Sequence, residues 1–230
     1  TSNNLQKPLE PFCATSAATG LATRLAARIK VENPRLSMLS IRGLMVHSAR
    51  WTDEMKRIDN IEERMSLCGY GVPDEDIALY SNEKYTTYIF ENQLKPYIEG
   101  DSSNIYGQMH FYDLPWPKEL LEEMGSEGVR IRITLSYYVK PSPGYAGRTN
   151  KYRYPSATLH FDLKTAIETQ EEFLCRRNKY EEGISTKNDT NRWTVKQQKR
   201  ERGTVQSDWI KCTAADLAEM DKIVVFPGPG

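Results

Sequence analysis

The sequence predicts a mixed fold in two parts, a helical region followed by a β-rich region that forms an antiparallel sandwich. From residue 15 to about residue 67, apolar residues recur every three or four positions, which is the spacing of one helix face. Beyond residue 105, apolar and polar residues alternate in short runs, which is the period of a β-strand. We therefore expect domains at residues 1–80 and 105–230, joined by residues 81–104, with the boundary in the polar stretch IEGDSSNIYG, residues 98–107.

The first predicted helix begins in the stretch CATSAATGLATRLA, residues 13–26. Ser16 is interpreted from these residues alone as an N-cap, because a serine hydroxyl accepts an unpaired N–H of the first helical turn. The Asn33-Pro34 pair ends this helix, since the residue before proline avoids the helical conformation. The apolar stripe, which predicts a buried helix, consists of Ala18, Leu21, Ala22, Leu25, Ala26 and Ile29.

The remainder of the first region predicts further helices and one strand. Ser37 is expected to cap a second helix, and GYGVPDEDIALYS, residues 69–81, predicts a glycine turn followed by a short helix. The acidic run at residues 74–76 is interpreted as capping of that helix. The aromatic and β-branched stretch KYTTYIFE, residues 84–91, predicts a strand in the connecting segment.

Four stretches of the second region predict strands, and one predicts a helix. The clearest is VRIRITLSYYV, where Val129, Ile131, Ile133 and Leu135 form an apolar face, and the intervening Arg130, Arg132, Thr134 and Ser136 form a solvated one. The other strands are expected in MHFYDLP, SATLHFDLK and DKIVVFP, and the helix in TAIETQEEFLCRRNK. Residues 180–203 are expected to be a polar, poorly ordered loop whose basic stretch KQQKRERG is solvated, because no aromatic platform for bases accompanies it.

The composition of the chain excludes several classes of function. Lys plus Arg and Asp plus Glu are 31 each in 230 residues, which argues against a nucleic-acid binder. No apolar run reaches the length of a membrane span. The four cysteines, Cys13, Cys68, Cys175 and Cys212, lie far apart, so we expect free buried thiols of a cytoplasmic protein and no zinc site.

The order of three stretches resembles the end of the catalytic domain of subtilisin-like serine proteases. These stretches are CATSAATG, NPRLSMLSIRGLMVHSARW and GYGVPDEDIALYS; in that family a G-T-S-x-A motif places the nucleophilic serine at the start of a long buried helix. LPWPKELLEEMG and VRIRITLSYYVKPSPG resemble the C-terminal region of a large bacterial branch of the family. The resemblance implies that residues 1–80 complete an α/β catalytic domain and that residues 105–230 form an accessory domain. The motif differs at one position, where Ala14 replaces glycine.

The resemblance also implies a reaction, with Ser16 as the nucleophile that attacks a peptide carbonyl and Thr15 as a possible support for the oxyanion. The Asp, His and oxyanion Asn of the family precede the serine in the chain, but the fifteen residues before Ser16 contain neither Asp nor His. We therefore expect an upstream portion to supply them and this chain alone to be inactive. Implied partners are a peptide or protein substrate and an AAA-type ATPase, which is often encoded beside members of this branch, and no cofactor is implied.

Two other classes of function stay open on the sequence. The chain is also consistent with a non-catalytic binding or scaffold fragment, or a degenerate protease. A carbohydrate-binding sandwich would depend on exposed aromatic residues such as Tyr137, Tyr138, Tyr145 and Tyr152. The three histidines, His47, His110 and His160, are interpreted as structural residues, the last two at polar-facing strand positions, and Glu122-Glu123 as part of an exposed helix face.

Overall fold

The computed structural model describes residues 14–82, 84–98, 105–139, 158–181 and 192–228. The helical region contains α1 (Thr15–Glu32), α2 (Met38–Ser48), α3 (Asp53–Lys56), α4 (Ile61–Cys68) and α5 (Glu75–Leu79). The β-rich region contains the strands β1 (Tyr97–Ile98), β2 (Ile105–Tyr106), β3 (His110–Asp113), β4 (Gly128–Ser136), β5 (Thr158–Leu163), β6 (Val205–Thr213) and β7 (Lys222–Gly228). Its helices are α6 (Lys118–Met124), α7 (Gln170–Glu181), α8 (Gln197–Arg200) and α9 (Ala214–Glu219).

Side-chain caps fix the starts of α2 to α5. The oxygens of Ser37, Thr52, Asn60 and Asp74 accept backbone N–H groups of the first turns of these helices, as the sequence predicts for Ser37 and for the acidic run at residues 74–76. α1, α2 and α5 pack together around a small apolar core. That core consists of Leu25, Ile29, Ile41, Leu44 and Ala78.

The connecting segment contains no strand at residues 84–91, so this prediction is wrong for the described residues. After a turn at Lys84, the chain there has no regular secondary structure and makes side-chain contacts instead. Glu91 accepts hydrogen bonds at the start of α2 from the Ser37 N–H and the Ser40 hydroxyl, and Tyr88 packs edge-on against Trp116 at 5.7 Å. These side-chain contacts take the place of strand pairing in this segment.

The β-rich region forms three small antiparallel sheets within the described residues. β1 pairs with β2, β4 pairs with β6 over their full lengths, and β7 lies between β3 and β5. The β4–β6 and β3–β7–β5 sheets share one apolar core, to which α6 and α9 also contribute. The predicted strands in MHFYDLP, VRIRITLSYYV, SATLHFDLK and DKIVVFP are confirmed, whereas β1, β2 and β6 were not predicted.

The polar face of β4 is not solvated as predicted, because α2 packs against it. Arg42 of α2 donates to the Ser136 hydroxyl at 3.0 Å, and His47 hydrogen-bonds to the Thr134 hydroxyl at 3.0 Å. Arg132 of β4 donates to a carbonyl that follows α2. The two regions of the chain are therefore joined by a polar interface. Polar side chains that alternate along β4 contact α2 there.

The residues from 192 to 203 are also unlike the expected solvated loop, since they contain α8 and several buried side chains. Arg200, in the basic stretch KQQKRERG, is 4% exposed and lies against the rings of Phe161 and Trp193 at 4.5 and 4.9 Å. Trp193 and Val195 are buried as well. Residues 182–191 lie outside the described part of the chain.

The cysteines in the described residues are free thiols, but they are not all buried as expected. Cys175 is exposed, whereas Cys68 and Cys212 are half-buried. Burial raises the pKa of the Cys212 thiol, with a smaller contribution from nearby Asp216. Cys13 lies outside the described residues.

Candidate functional site

The start of α1 carries the predicted nucleophile. Ala14 is the N-cap residue, with an extended backbone (φ −157°, ψ 153°) and no side-chain hydrogen bond to the first turn. The prediction that the Ser16 hydroxyl caps this helix is therefore wrong. Ser16 is the second residue of α1 and its side chain is exposed. The extended backbone of Ala14 is open to any residue, so alanine causes no strain at the position where the G-T-S-x-A motif has glycine.

The first turn of α1 is electrostatically suited to an anion. It contains no acidic residue, and the N–H groups of a first helical turn have no intrahelical acceptor. These N–H groups and the helix dipole place partial positive charge around Ser16. Thr15 is exposed beside it, and its carbonyl accepts the Thr19 hydroxyl at 2.8 Å.

The apolar stripe of α1 is covered only in its C-terminal half, so the expected burial of the whole helix is wrong for this chain. Leu25 and Ile29 are buried against α2 and α5. Leu21, one turn nearer to Ser16, is 65% exposed, and Ala18 is exposed too. α1 has 18 residues, about five turns. Its first two to three turns, which carry Ser16, therefore present an uncovered apolar face.

None of the three histidines serves as a base for Ser16 in this fold. His47 lies between α2 and β4 and bonds to Thr134. His110 contacts Tyr112 at the edge of the β-rich region. His160 faces a polar group, as predicted for its strand position, but it is buried, with its Nδ1 atom 2.9 Å from a carboxylate oxygen of Glu201. The chain has three histidines in all, and each has a structural partner elsewhere.

His47 is held neutral by its surroundings. Burial, together with smaller contributions from the charges of Arg132 and Arg130, lowers its pKa from 6.5 to about 4. A protonated imidazole would therefore be unfavourable between α2 and β4. This places the ring in a structural role at the interface of the two regions.

We expect the folded chain to lose stability on acidification because of His47. An unfolded histidine takes up a proton below pH 6.5, whereas folded His47 resists it until about pH 4, so stability falls as the pH falls through this window. The loss from pH 7 to pH 5 should be about 2 kcal/mol, measured as the urea free energy of unfolding. His47→Gln should remove this pH dependence while keeping a polar group for Thr134. An equal loss in His47→Gln would contradict the assignment.

The acidic residues near α1 also have structural partners. Glu75 at the start of α5 pairs with Arg28 and, at 3.7 Å, with Arg24, both on α1. In the described ranges, no group of three or more His, Cys, Asp or Glu side chains forms a possible metal site. No helix among these residues is long and apolar enough to cross a membrane.

The first third of the chain matches a known family. Residues 1–72 match the model of the subtilase family of peptidases, S8, and this range includes Thr15 and Ser16. No curated protein and no solved structure matches the chain. The family match supports a subtilisin-like protease for the helical region; it does not extend to the β-rich region.

Proposed function

We propose that this chain is the C-terminal portion of a subtilisin-like serine endopeptidase in which Ser16 is the nucleophile. The subtilase match over residues 1–72 is the observation that carries the proposal. It is supported by the position of Ser16, exposed in the first turn of a helix whose unpaired N–H groups favour an anion. Residues 1–80 then complete the α/β catalytic domain.

The proposed chemistry is acyl transfer. The Ser16 hydroxyl attacks a peptide carbonyl as a base removes its proton, and the leaving amine departs with a proton from that base. Water then hydrolyses the acyl-enzyme. The oxyanion of each tetrahedral intermediate is stabilised by first-turn N–H groups, with Thr15 as a further hydroxyl donor.

In this proposal, three groups come from a part of the protein upstream of Thr1. They are the base, the carboxylate that orients it and the Asn that stabilises the oxyanion. The structural partners of all three histidines support this, since none is left to act on Ser16. The uncovered face at Leu21 supports it as well, because a catalytic sheet from the upstream part would cover it. Burial of one such leucine stabilises by roughly 1.5–3 kcal/mol.

The β-rich region is, in the same proposal, an accessory domain of a bacterial, cytoplasmic enzyme. Its two sheets with a shared core support an antiparallel sandwich. A protein or peptide is the substrate, and an AAA-type ATPase is the proposed partner. No cofactor takes part in the proposed reaction.

Covalent labelling tests the proposal. The gene product that includes the upstream portion should react with a fluorophosphonate probe, and mass spectrometry should locate the adduct on Ser16. The 230-residue chain by itself should not be labelled, because it has no base beside Ser16. Absence of label from the longer protein, or an adduct on another serine, would contradict the proposal.

A second candidate is a non-catalytic binding or scaffold protein. The observation that favours it is the lack of any histidine beside Ser16 in this chain. The same labelling experiment separates the two functions, since a scaffold would remain unlabelled even with the upstream portion present.

A further inference from the structure

A cleft of about 2550 Å³ runs along β4, on the side away from β6. Its walls come from β4, α2, β3 and residues 84–94. Ser16 does not line it. The cleft is therefore separate from the proposed catalytic residue and is a candidate binding site in its own right.

The outer edge of β4 presents unpaired backbone groups to this cleft. The bonds from Ala214 N–H to Glu127 C=O and from Tyr137 N–H to Thr204 C=O, at 2.9 and 3.0 Å, bracket the β4–β6 ladder. Because hydrogen-bonded pairs alternate in an antiparallel ladder, the odd-numbered residues of β4 bond to β6 and the even-numbered ones face outward. Within the described residues, no hydrogen bond occupies the outward N–H and C=O groups of residues 130, 132, 134 and 136.

The cleft is apolar along much of its length. Leu44 of α2, Ile133 of β4, Tyr88, Trp116 and Val225 are among its lining residues. A free strand edge beside such a surface is the arrangement that receives an added strand, because backbone hydrogen bonds give affinity and alternate side chains enter apolar pockets.

One end of the cleft is positively charged. Arg50, Arg130 and Arg132 line it and are close enough for each charge to affect the others. Burial and these neighbours lower the pKa of Arg132 to about 10. No carboxylate lies within 4 Å of any of the three among the residues that the structure describes.

Three acidic residues also line the cleft, but none pairs with these arginines in the described ranges. Glu91 accepts hydrogen bonds from the Ser37 N–H and the Ser40 hydroxyl at the start of α2. Asp74 is the N-cap of α5 and accepts the Ile77 N–H at 3.2 Å, and Asp76 is exposed. Neither pairs with an arginine in the described ranges. The uncompensated positive charge beside β4 therefore favours an acidic ligand group there.

We propose that the cleft binds an extended segment of a partner protein, which adds to the outer edge of β4 and places acidic residues beside Arg50 and Arg130. The nine residues of β4 span about 30 Å, so they accommodate a segment of similar length. Apolar side chains of the segment face Ile133 and its neighbours, and its backbone satisfies the outward groups of β4. This inference does not depend on Ser16.

The competing occupant is the chain itself. Residues 84–91 have strand-forming composition and line the same cleft. They contact α2 through Glu91 and Trp116 through Tyr88, and in the described residues they make no backbone hydrogen bond to β4.

Fluorescence anisotropy tests the proposal with the full chain and a labelled peptide of two aspartates followed by alternating valine and threonine. We expect micromolar binding, at least tenfold weaker for a peptide with two lysines in place of the aspartates. N-methylation of alternate backbone amides should weaken binding by at least tenfold, because it removes strand pairing. The double variant Arg50→Glu, Arg130→Glu should reverse the preference between the two peptides.

The matched control is Arg57→Glu, an exposed charge reversal outside the cleft, which should leave binding unchanged. Circular dichroism of each variant establishes that it is folded. No binding by folded protein, equal binding of the two peptides, or binding insensitive to N-methylation would overturn the proposal. Hydrogen exchange that shows residues 84–91 already paired with β4 would overturn it as well.

Discussion

Replacement of Ser16 by alanine should reduce kcat/KM for peptide hydrolysis by about 10⁴-fold or more in the gene product that includes the upstream portion. The reason is that alanine removes the atom that forms the acyl-enzyme, while the first-turn N–H groups and the substrate contacts remain. Ser16 is exposed and its hydroxyl makes no hydrogen bond within the described residues, so the variant should fold as well as the parent. Initial rates on a fluorogenic peptide, with thermal denaturation as a folding check, measure this effect.

Ser66→Ala is the matched control for this prediction. Ser66 is an exposed helical serine whose hydroxyl donates to the Glu62 carbonyl, and its removal should leave kcat/KM unchanged. Thr15→Ala should give an intermediate loss of about tenfold to a hundredfold, mainly in kcat, since loss of one oxyanion donor costs about 10²–10³ at most. Full activity in Ser16→Ala would exclude Ser16 as the nucleophile.

The sequence predicted the helices better than it predicted their environment. Capping residues such as Ser37 and Asp74 act within one turn, so their effects are visible in local sequence. The exposure of Leu21 depends on what lies beside α1 in space, and an apolar stripe has the same pattern whether or not its partner is present. The stripe therefore predicted a helix correctly but predicted its burial in this chain wrongly.

β6, which sequence reasoning missed, has polar residues at buried positions. It buries Gln206, Ser207 and Asp208, so its hydrophobic alternation is too weak to indicate a strand. Asp208 accepts the N–H groups of Val195 and Lys196, contacts that depend on a distant segment. Conversely, residues 84–91 have strand composition but form no strand in the described structure.

The candidate site was only partly accessible to sequence reasoning. The motif around Ser16 identified a possible nucleophile, and the absence of Asp and His before it indicated an incomplete triad. The arginine-lined cleft was not predicted, because Arg130 and Arg132 alternate with apolar residues as any half-exposed strand does. The free outer edge of β4 becomes visible only in the sheet topology, because within the described residues β4 pairs with β6 and with no other strand.

β5 illustrates how a polar strand face becomes buried. In its sequence, the apolar residues Leu159, Phe161 and Leu163 alternate with the polar His160 and Asp162, a pattern typical of a strand with one solvated face. In the structure α7 and the residue 192–200 segment cover that side, and Asp162 is 9% exposed. Its carboxylate lies 2.5, 2.9 and 3.4 Å from guanidinium nitrogens of three arginines, which are Arg176, Arg177 and Arg192.

The charges around Asp162 keep it ionised despite its burial. Burial alone would raise the pKa of the carboxyl, but the three arginines outweigh it and hold the pKa below its usual value. The stability from this ionisation is present above about pH 4, the range of an unfolded aspartate, and is lost as the pH falls through the lower folded pKa. This window lies below the one in which His47 acts.

Asp162→Asn should therefore lower the free energy of unfolding at pH 7 by about 3–5 kcal/mol, because it leaves buried arginines with one negative charge fewer. Glu168 pairs with Arg176 but does not replace the contacts of Asp162 with the other two arginines. Asp113→Asn is the matched control, since Asp113 pairs with Lys222 at the surface with 83% of its side chain exposed, and such pairs contribute at most about 1 kcal/mol. Urea denaturation of both variants measures the difference. A loss in Asp162→Asn no larger than that in Asp113→Asn would mean that water reaches the arginine cluster and that its charges do not hold α7 to the sheet.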